Sequence, residues 1–163
     1  MADFTSAEQR LALTCQRYPS FPRRQATLVR LIKHIHKEMT DRANAILKPH
    51  GLNYPEYNLL MMIYGTDGDI ISPSELASAA GEKSANITRL TDQLGHKGLI
   101  ARAASADDRR KVDLKLTPAG CKLLERALPD VCEWLRQSTP ELDGAQDRQL
   151  ESLLKKMLSG FDQ

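Results

Sequence analysis

The sequence lacks the motifs that mark hydrolases, nucleotide-binding enzymes and zinc proteases. Its 163 residues contain no GxSxG turn, no glycine-rich phosphate loop and no HExxH pair. His34 and His36 are two residues apart, about 200° around a helix, so they cannot share a metal ion as an i, i+4 pair could. Asp107 and Asp108 form a carboxylate pair beside two arginines, which they are expected to orient. We therefore predict no enzymatic activity, no metal and no cofactor.

The sequence has only three cysteines, and their spacing matches no disulfide or metal-binding motif. Cys15, Cys121 and Cys132 are odd in number and include no CxxC, so neither a disulfide framework nor a zinc knuckle is indicated. On one helix, the last two would lie about 16 Å apart, beyond the reach of a disulfide. We expect buried, reduced and inert thiols.

Long apolar runs are also missing. No segment approaches the length of a membrane span, and no charged-then-apolar leader is visible, so we expect a cytoplasmic protein. The net charge of +2 is unevenly spread, because residues 82–115 carry eight basic and five acidic side chains. A local basic surface on a nearly neutral protein is typical of binding to a polyanion through one face.

Two helices separated by a tight turn are predicted between residues 72 and 98. Ser72, Pro73 and Glu75 form a helix-start signature, with a capping serine, a proline at the first helical position and an acidic residue that completes a capping box. Gly81 suits the left-handed conformation that ends a helix. Ser84 is then expected to cap the second helix.

The second helix has one apolar and one polar face. Its predicted buried stripe, within about a quarter of the helix circumference, consists of Ile87, Leu90, Thr91 and Leu94. Asn86 and Arg89 lie outside this stripe, and in a major groove Asn pairs with adenine and Arg with guanine. We expect this face to contact DNA through Lys83, Ser84, Ala85, Asn86, Thr88 and Arg89.

After Gly98 the pattern changes to the alternation typical of strands, at residues 99–102 and 112–116. The polar tip between them contains three consecutive cations, which are Arg109, Arg110 and Lys111. A basic tip beside a recognition helix can lie along the DNA backbone or enter a minor groove. The order of these elements predicts a winged helix-turn-helix.

The motif D-x-R-x-x-x-L-x-L-T at residues 108–117 resembles the wing signature of the MarR family of bacterial transcription regulators. Residues 94–102 are similar to the family segment before the wing, although Gly95 replaces the usual acidic residue. The N-terminal part resembles the EmrR branch, whose members repress multidrug-efflux genes, at Arg17, Phe21–Pro22 and Arg30–Leu31.

This resemblance implies roles for residues that the pattern alone does not assign. Arg110 would enter the minor groove and Asp108 would orient it, while Arg109 and Lys111 would contact phosphates. The family also implies a pocket where the long first helix meets the second. The residues offered there are Arg17, Arg24, His34, Tyr54 and Tyr57, and such cations and aromatic walls suit an aromatic acid or phenolic ligand.

Long amphipathic helices are predicted at both ends of the chain. One of them is predicted at about residues 25–47. A helix of this length in a small domain needs a partner along its length, which indicates a twofold dimer. We predict a mostly α fold with a small β wing. Residues 51–117 would form a winged helix-turn-helix DNA-binding domain, flanked by dimerisation helices in residues 1–50 and 118–163.

The sequence therefore predicts a dimeric transcriptional regulator whose partners are double-stranded DNA, a second copy of itself and a small aromatic or phenolic effector, with no membrane. It would be a repressor that the effector releases from a palindromic operator. Two alternatives remain. The first is a redox-sensing repressor that uses Cys15, because some relatives sense oxidants through a cysteine in the N-terminal region. The second is a winged-helix interaction module without ligand response, because fold alone does not fix function.

Overall fold

The computed structural model describes residues 4–104, 112–139 and 141–161. The chain divides by its contacts into two units, residues 1–127 and 128–163, and the second unit holds the end of α6 and all of α7. The elements in chain order are α1 (Thr5–Arg17), α2 (Arg23–Leu47), α3 (Tyr54–Tyr64), β1 (Ile70–Ile71), α4 (Pro73–Ala80), α5 (Ser84–His96), β2 (Ile100–Ala104), β3 (Val112–Leu116), α6 (Pro118–Arg136) and α7 (Gly144–Ser159). The predicted mostly α fold with a small β wing is confirmed.

Helices α1 and α2 pack against each other as a hairpin, with the proline-containing segment 18–22 between them. The ring of Phe4, just before α1, meets the ring of His34 edge to face at 6.0 Å. Helix α2 ends at Leu47, as its pattern predicts, but it has 25 residues because it begins two residues earlier than expected. Along it, Leu28, Ile32 and Ile35 are 53%, 39% and 54% exposed in the single protomer. This apolar row has no cover in one copy of the described chain.

The link from α2 to α3 is fixed by local hydrogen bonds. A short 3₁₀ turn, Lys48–His50, ends at Gly51, whose φ of +70° is the left-handed region that glycine adopts without strain. Asn53 then caps α3: its side chain accepts the Glu56 N–H at 2.9 Å, and the Glu56 carboxylate accepts the Asn53 N–H at 3.1 Å. These contacts complete a capping box, which fixes the start of α3.

The three strands form one antiparallel sheet in the order β1-β3-β2. Strand β1 pairs through Ile71 with Leu114, and β2 pairs with β3 from Ile100↔Leu116 to Ala104↔Val112. The strand pair predicted at residues 99–102 and 112–116 is confirmed. Leucines and isoleucines from all three strands and from α3, α4 and α5 fill the core between the sheet and the helices, and the fully buried ones include Leu60, Ile63, Leu76, Leu94 and Leu114.

The base of the wing is closed by residues 117–120. The Thr117 hydroxyl donates to the Gly98 carbonyl at 2.7 Å, and the Gly120 N–H donates to that hydroxyl at 3.0 Å. A Cβ on Gly120 would stand 2.2 Å from the Leu99 carbonyl oxygen, so no larger residue fits without a backbone shift. This close approach fixes where β3 passes into α6.

In the second unit, α7 begins with a capping box, because the Asp143 carboxylate accepts the Gln146 N–H at 2.9 Å and the Gln146 side chain accepts the Asp143 N–H at 3.0 Å. One face of α7 carries leucines that are exposed in the protomer by 41% to 68%, namely Leu150, Leu153, Leu154 and Leu158. Exposed apolar rows of this kind mark interaction surfaces.

Candidate nucleic-acid interface

Local signals at both ends of α4 fix the path of the chain into α5. The Ser72 hydroxyl accepts the Glu75 N–H at 3.2 Å and the Glu75 carboxylate accepts the Ser72 N–H at 3.0 Å, which fixes the start of α4. Gly81 ends α4 with a φ of +61°, in the left-handed region. Both features are as the sequence predicts.

Helix α5 buries the predicted stripe and exposes the opposite side. Ile87, Leu90, Thr91 and Leu94 are all at most 3% exposed. The buried Thr91 hydroxyl has a hydrogen-bond partner, because it donates to the Thr88 carbonyl at 3.0 Å. Because this face is anchored in the core, the side chains on the other face are held at the surface.

The expectation that Ser84 caps α5 is wrong. The helix begins at Ser84 itself, and Lys83 occupies the capping position without a side-chain hydrogen bond to the helix. The Ser84 carbonyl instead accepts the hydroxyl of Thr88 at 3.0 Å. The N–H groups of this first turn therefore lack a side-chain cap, and such a helix end favours a phosphate or another anion.

The predicted reading residues form one hydrogen-bonded row on the exposed face. An Arg89 guanidinium N–H donates to the Asn86 side-chain oxygen at 2.8 Å, and a second donates to the Gln93 side-chain oxygen at 3.1 Å. Among the described contacts, Arg89 is thus held by two amides rather than by a carboxylate. Lys83, Ser84, Ala85 and Thr88 are exposed at the same end of α5. All six residues that the sequence predicts to contact DNA through this helix therefore lie at or near the start of α5.

Strand β2 is tied to α5 by a contact that the sequence does not predict. Arg102, on β2, donates to the Asp92 carboxylate at 2.7 Å and to the Thr91 hydroxyl at 3.3 Å, so a strand residue is tied to the recognition helix. The opposite charges are visible in the sequence, but ten residues and a change of secondary structure separate them. The predicted wing-tip residues Asp108, Arg109, Arg110 and Lys111 lie outside the described residues.

The five predicted effector residues lie at three levels along α2. Arg17 and Arg24 are exposed where α1 ends and α2 begins, and His34 lies ten residues further on, against Phe4. The Tyr54 N–H donates to the Asn44 side chain at 2.8 Å, another ten residues along, and Tyr57 is buried beyond it. Ten helical residues span about 15 Å, so one protomer does not gather all five around one small ligand.

Two further features of this region bear on ligand binding. The His34 Nε2 is buried and has no hydrogen-bond partner among the described residues. A pocket of about 310 Å³ lies elsewhere, between α5 and β2, and none of the five predicted effector residues lines it. Its lining consists of Thr91, Asp92, Gly95, His96, Ile100 and Arg102.

The cysteines are free, and all three are half-buried rather than buried as expected. Within residues 4–104, 112–139 and 141–161, no three histidine, cysteine or acidic side chains group as a metal site would require. In that same part of the chain, no helix is both long and apolar enough to span a membrane.

Comparisons with known proteins agree with this architecture. Residues 52–112 match the sequence profile described as the MarR family. The chain is 34% identical to the transcriptional repressor MprA, also called EmrR, of Escherichia coli strain K12, over 162 residues that cover 99% of this chain and 92% of that protein.

Two solved protein–DNA complexes are similar in fold. One is a cysteine-to-serine variant of MarR from E. coli bound to operator DNA, with a TM-score of 0.76 and 27% identity over 90% of this chain and 98% of that one. The other is the MepR–DNA complex from S. aureus, with a TM-score of 0.74 and 26% identity over 83% of this chain and 95% of that one.

Proposed function

This chain belongs to the MarR family of DNA-binding transcriptional regulators rather than to an enzyme family, and from that premise we propose that it is an effector-released repressor that binds a palindromic operator as a twofold dimer. The observation that carries the proposal is the exposed row on α5, where Asn86 and Arg89 stand on a helix whose other face is locked in the core. A helix held in this way can enter a major groove as a rigid body.

In the proposed complex, α5 reads bases and its first turn contacts the backbone. Asn86 would pair with adenine and Arg89 with guanine, exchanging their mutual hydrogen bond for base edges. Lys83 and Ser84 would contact phosphates or nearby bases at the uncapped start of α5, where the helix dipole favours an anion. Ala85 and Thr88 would complete the surface that faces the groove.

The wing would supply the second contact to each half-site. Arg110 would enter the minor groove with Asp108 orienting it, and Arg109 and Lys111 would neutralise phosphates. The tie between Arg102 and Asp92 supports this role, because it keeps β2 beside the recognition helix. Groove and backbone contacts would then come from one rigid unit.

A dimer would cover the apolar rows that the protomer leaves exposed. We assign dimerisation to residues 1–50 and 118–163 and DNA binding to residues 51–117. The exposed leucines of α7 and the apolar row of α2 support this division. A twofold dimer would present two copies of α5 to an operator whose half-site centres lie about 10–11 base pairs apart.

Release of DNA would follow when a small aromatic acid or phenolic compound binds beside α2. The ligand must prefer the spacing of the recognition helices that does not fit DNA. A preference of about 3 kcal/mol would weaken operator binding roughly 150-fold. The unsatisfied Nε2 of His34 supports a polar ligand group in this region.

A gel-shift experiment tests the proposal. The full-length protein is titrated against DNA from upstream of its own gene and against a shuffled duplex of equal length, with and without a panel of aromatic acids. We expect a shift at lower protein concentration on the upstream DNA, and its reversal by at least one compound. Equal binding to both duplexes would contradict an operator-specific repressor, and the shuffled duplex serves as the control for charge alone.

A further inference from the structure

Glu82 is an acidic residue directly before the recognition helix, and it extends the hydrogen-bonded row on that helix. Its carboxylate accepts the side-chain N–H of Asn86 at 2.8 Å. The side-chain oxygen of Asn86 accepts Arg89, and Arg89 also donates to Gln93. Four side chains, spaced by four, three and four residues, therefore form one chain of contacts along the proposed DNA-facing side, and all but the half-buried Asn86 are exposed.

The contacts with Glu82 and Arg89 together fix how the Asn86 amide is oriented. A carboxylate accepts but does not donate, so the NH₂ group must turn toward Glu82 and the oxygen toward Arg89. Arg89 can only donate. In the opposite orientation the Asn86 NH₂ would face the Arg89 donor, and the Asn86 oxygen would face the Glu82 carboxylate. Both reading side chains are thus satisfied in the free protein, and DNA must replace these partners.

The charge of Glu82 also opposes contact with DNA that offers no such replacement. A phosphate that approaches the start of α5 meets this exposed carboxylate next to Lys83. On a matching site, the base contacts of Asn86 and Arg89 offset the repulsion. The repulsion acts on every sequence, and on a site that does not match no base contact offsets it. The carboxylate therefore weakens the non-specific binding that phosphate contacts drive.

We propose that Glu82 is a specificity-determining residue that positions Asn86 through its carboxylate and weakens sequence-independent binding through its charge. This inference rests on the proposed DNA-binding function. It assigns selectivity to a residue that does not itself need to contact a base.

Two substitutions separate the two effects. Glu82→Gln keeps a side-chain oxygen that can accept Asn86 but removes the charge, and Glu82→Ala removes both. Fluorescence anisotropy should show both variants binding random duplex DNA about fivefold more tightly than the parent, as expected for one unit charge at contact distance. The slope of log affinity against log salt should become steeper by about 0.9.

Base preference is measured by selecting duplexes from a random pool. Glu82→Ala should lose about tenfold of the preference at one operator position, whereas Glu82→Gln should retain it. Glu125→Gln, which makes the same change at an exposed position on α6, is the matched control and should change neither quantity. Thermal unfolding of each Glu82 variant should match the parent, because the contact is exposed.

The inference is overturned if both Glu82 variants bind random DNA like the parent, or if Glu82→Ala keeps the parental base preference. These results differ from failure of the proposed function. If the parent protein itself selects no sequence from the pool, the operator-binding proposal fails. If the parent selects a sequence and the Glu82 variants select it equally well, only the role of Glu82 is lost.

Discussion

The Lys97 ammonium lies 2.7 Å from both carboxylate oxygens of Glu56, although 41 residues separate them. Glu56 is 3% exposed and the Lys97 side chain is 40% exposed, so the lysine covers a nearly buried anion from the solvent side. The same ammonium donates to the Gly51 carbonyl at 2.9 Å. One side chain just after the recognition helix thus holds the start of α3 and the turn before it.

Lys97→Met should destabilise the protein because it removes the charge and leaves Glu56 buried without its cation. We expect a loss of about 2 kcal/mol, below the roughly 3–5 kcal/mol typical of fully buried pairs, because Lys97 is partly exposed. Chemical denaturation at fixed protein concentration measures this loss. Arg136→Met, which breaks an exposed pair with Glu133, is the control and should cost less than about 1 kcal/mol. Equal losses in the two variants would contradict the role of Lys97.

The pair between Lys97 and Glu56 also shows what sequence reasoning reaches and what it misses. The caps at Ser72 and Asn53 and the turn at Gly81 were predictable, because each depends on residues within a few positions. The pairing of Lys97 with Glu56 depends on the path of the chain between them, which no local spacing encodes.

The polar face of α5 was also predictable, because a helical period fixes which side is buried. The partners on that face were not all predictable. The helical period places Arg89 on the exposed face, but it does not identify Asn86 and Gln93 as the residues that hold it. Ser84 was misassigned by one position, because Lys83 takes the extended conformation that ends the turn.

Leu154→Arg should convert the protein to a monomer if α7 forms part of the dimer interface. Leu154 is 46% exposed within an apolar row, and a buried, unpaired cation at an interface is costly. Sedimentation at micromolar concentration should show a dimer for the parent and a smaller species for the variant. Ser152→Arg, on the opposite side of α7, is the matched control and should remain dimeric. A monomeric parent that still bound its operator tightly would contradict the dimer.

Arg89→Ala should weaken operator binding by about 1–3 kcal/mol and relax base preference at one position, because a bidentate contact to guanine is lost. Affinity for operator variants changed at single positions is the measurement. Arg126→Ala removes an exposed arginine from α6 and serves as the control for net charge. Equal losses on operator and random DNA would mean that Arg89 contributes only charge, and its role as a base reader would then be wrong.

Arg110→Ala should weaken binding to all sequences rather than to one. The expected cause is the loss of an electrostatic minor-groove contact, so the salt dependence of log affinity should flatten by about one unit. Titrations at several salt concentrations, on operator and random duplexes, measure both effects. An unchanged affinity together with an unchanged salt slope would remove the wing tip from the mechanism.

An aromatic acid should dissociate the protein–operator complex, and substitutions beside α2 should raise the concentration that is needed. Tyr54 lies at the junction of α2 and α3. Arg17 is the last residue of α1, which lies near the opposite end of α2. We expect Tyr54→Ala to require about tenfold more ligand, the effect of losing roughly 1.4 kcal/mol of binding free energy, and Arg17→Ala to do so only if a second copy of the chain completes the site. Anisotropy of labelled operator, followed during titration with a panel of aromatic acids, gives these concentrations.

The distance between the two residues makes this last experiment discriminating. Because about 30 Å of α2 separates its start, near Arg17, from Asn44, which holds Tyr54, one small ligand cannot contact both within a protomer. A response impaired only in Tyr54→Ala would assign the ligand to the junction of α2 and α3. Impairment in both variants would require a site completed by a second copy of the chain. If no compound shifts the complex, or if both variants respond like the parent, these residues do not form the effector site.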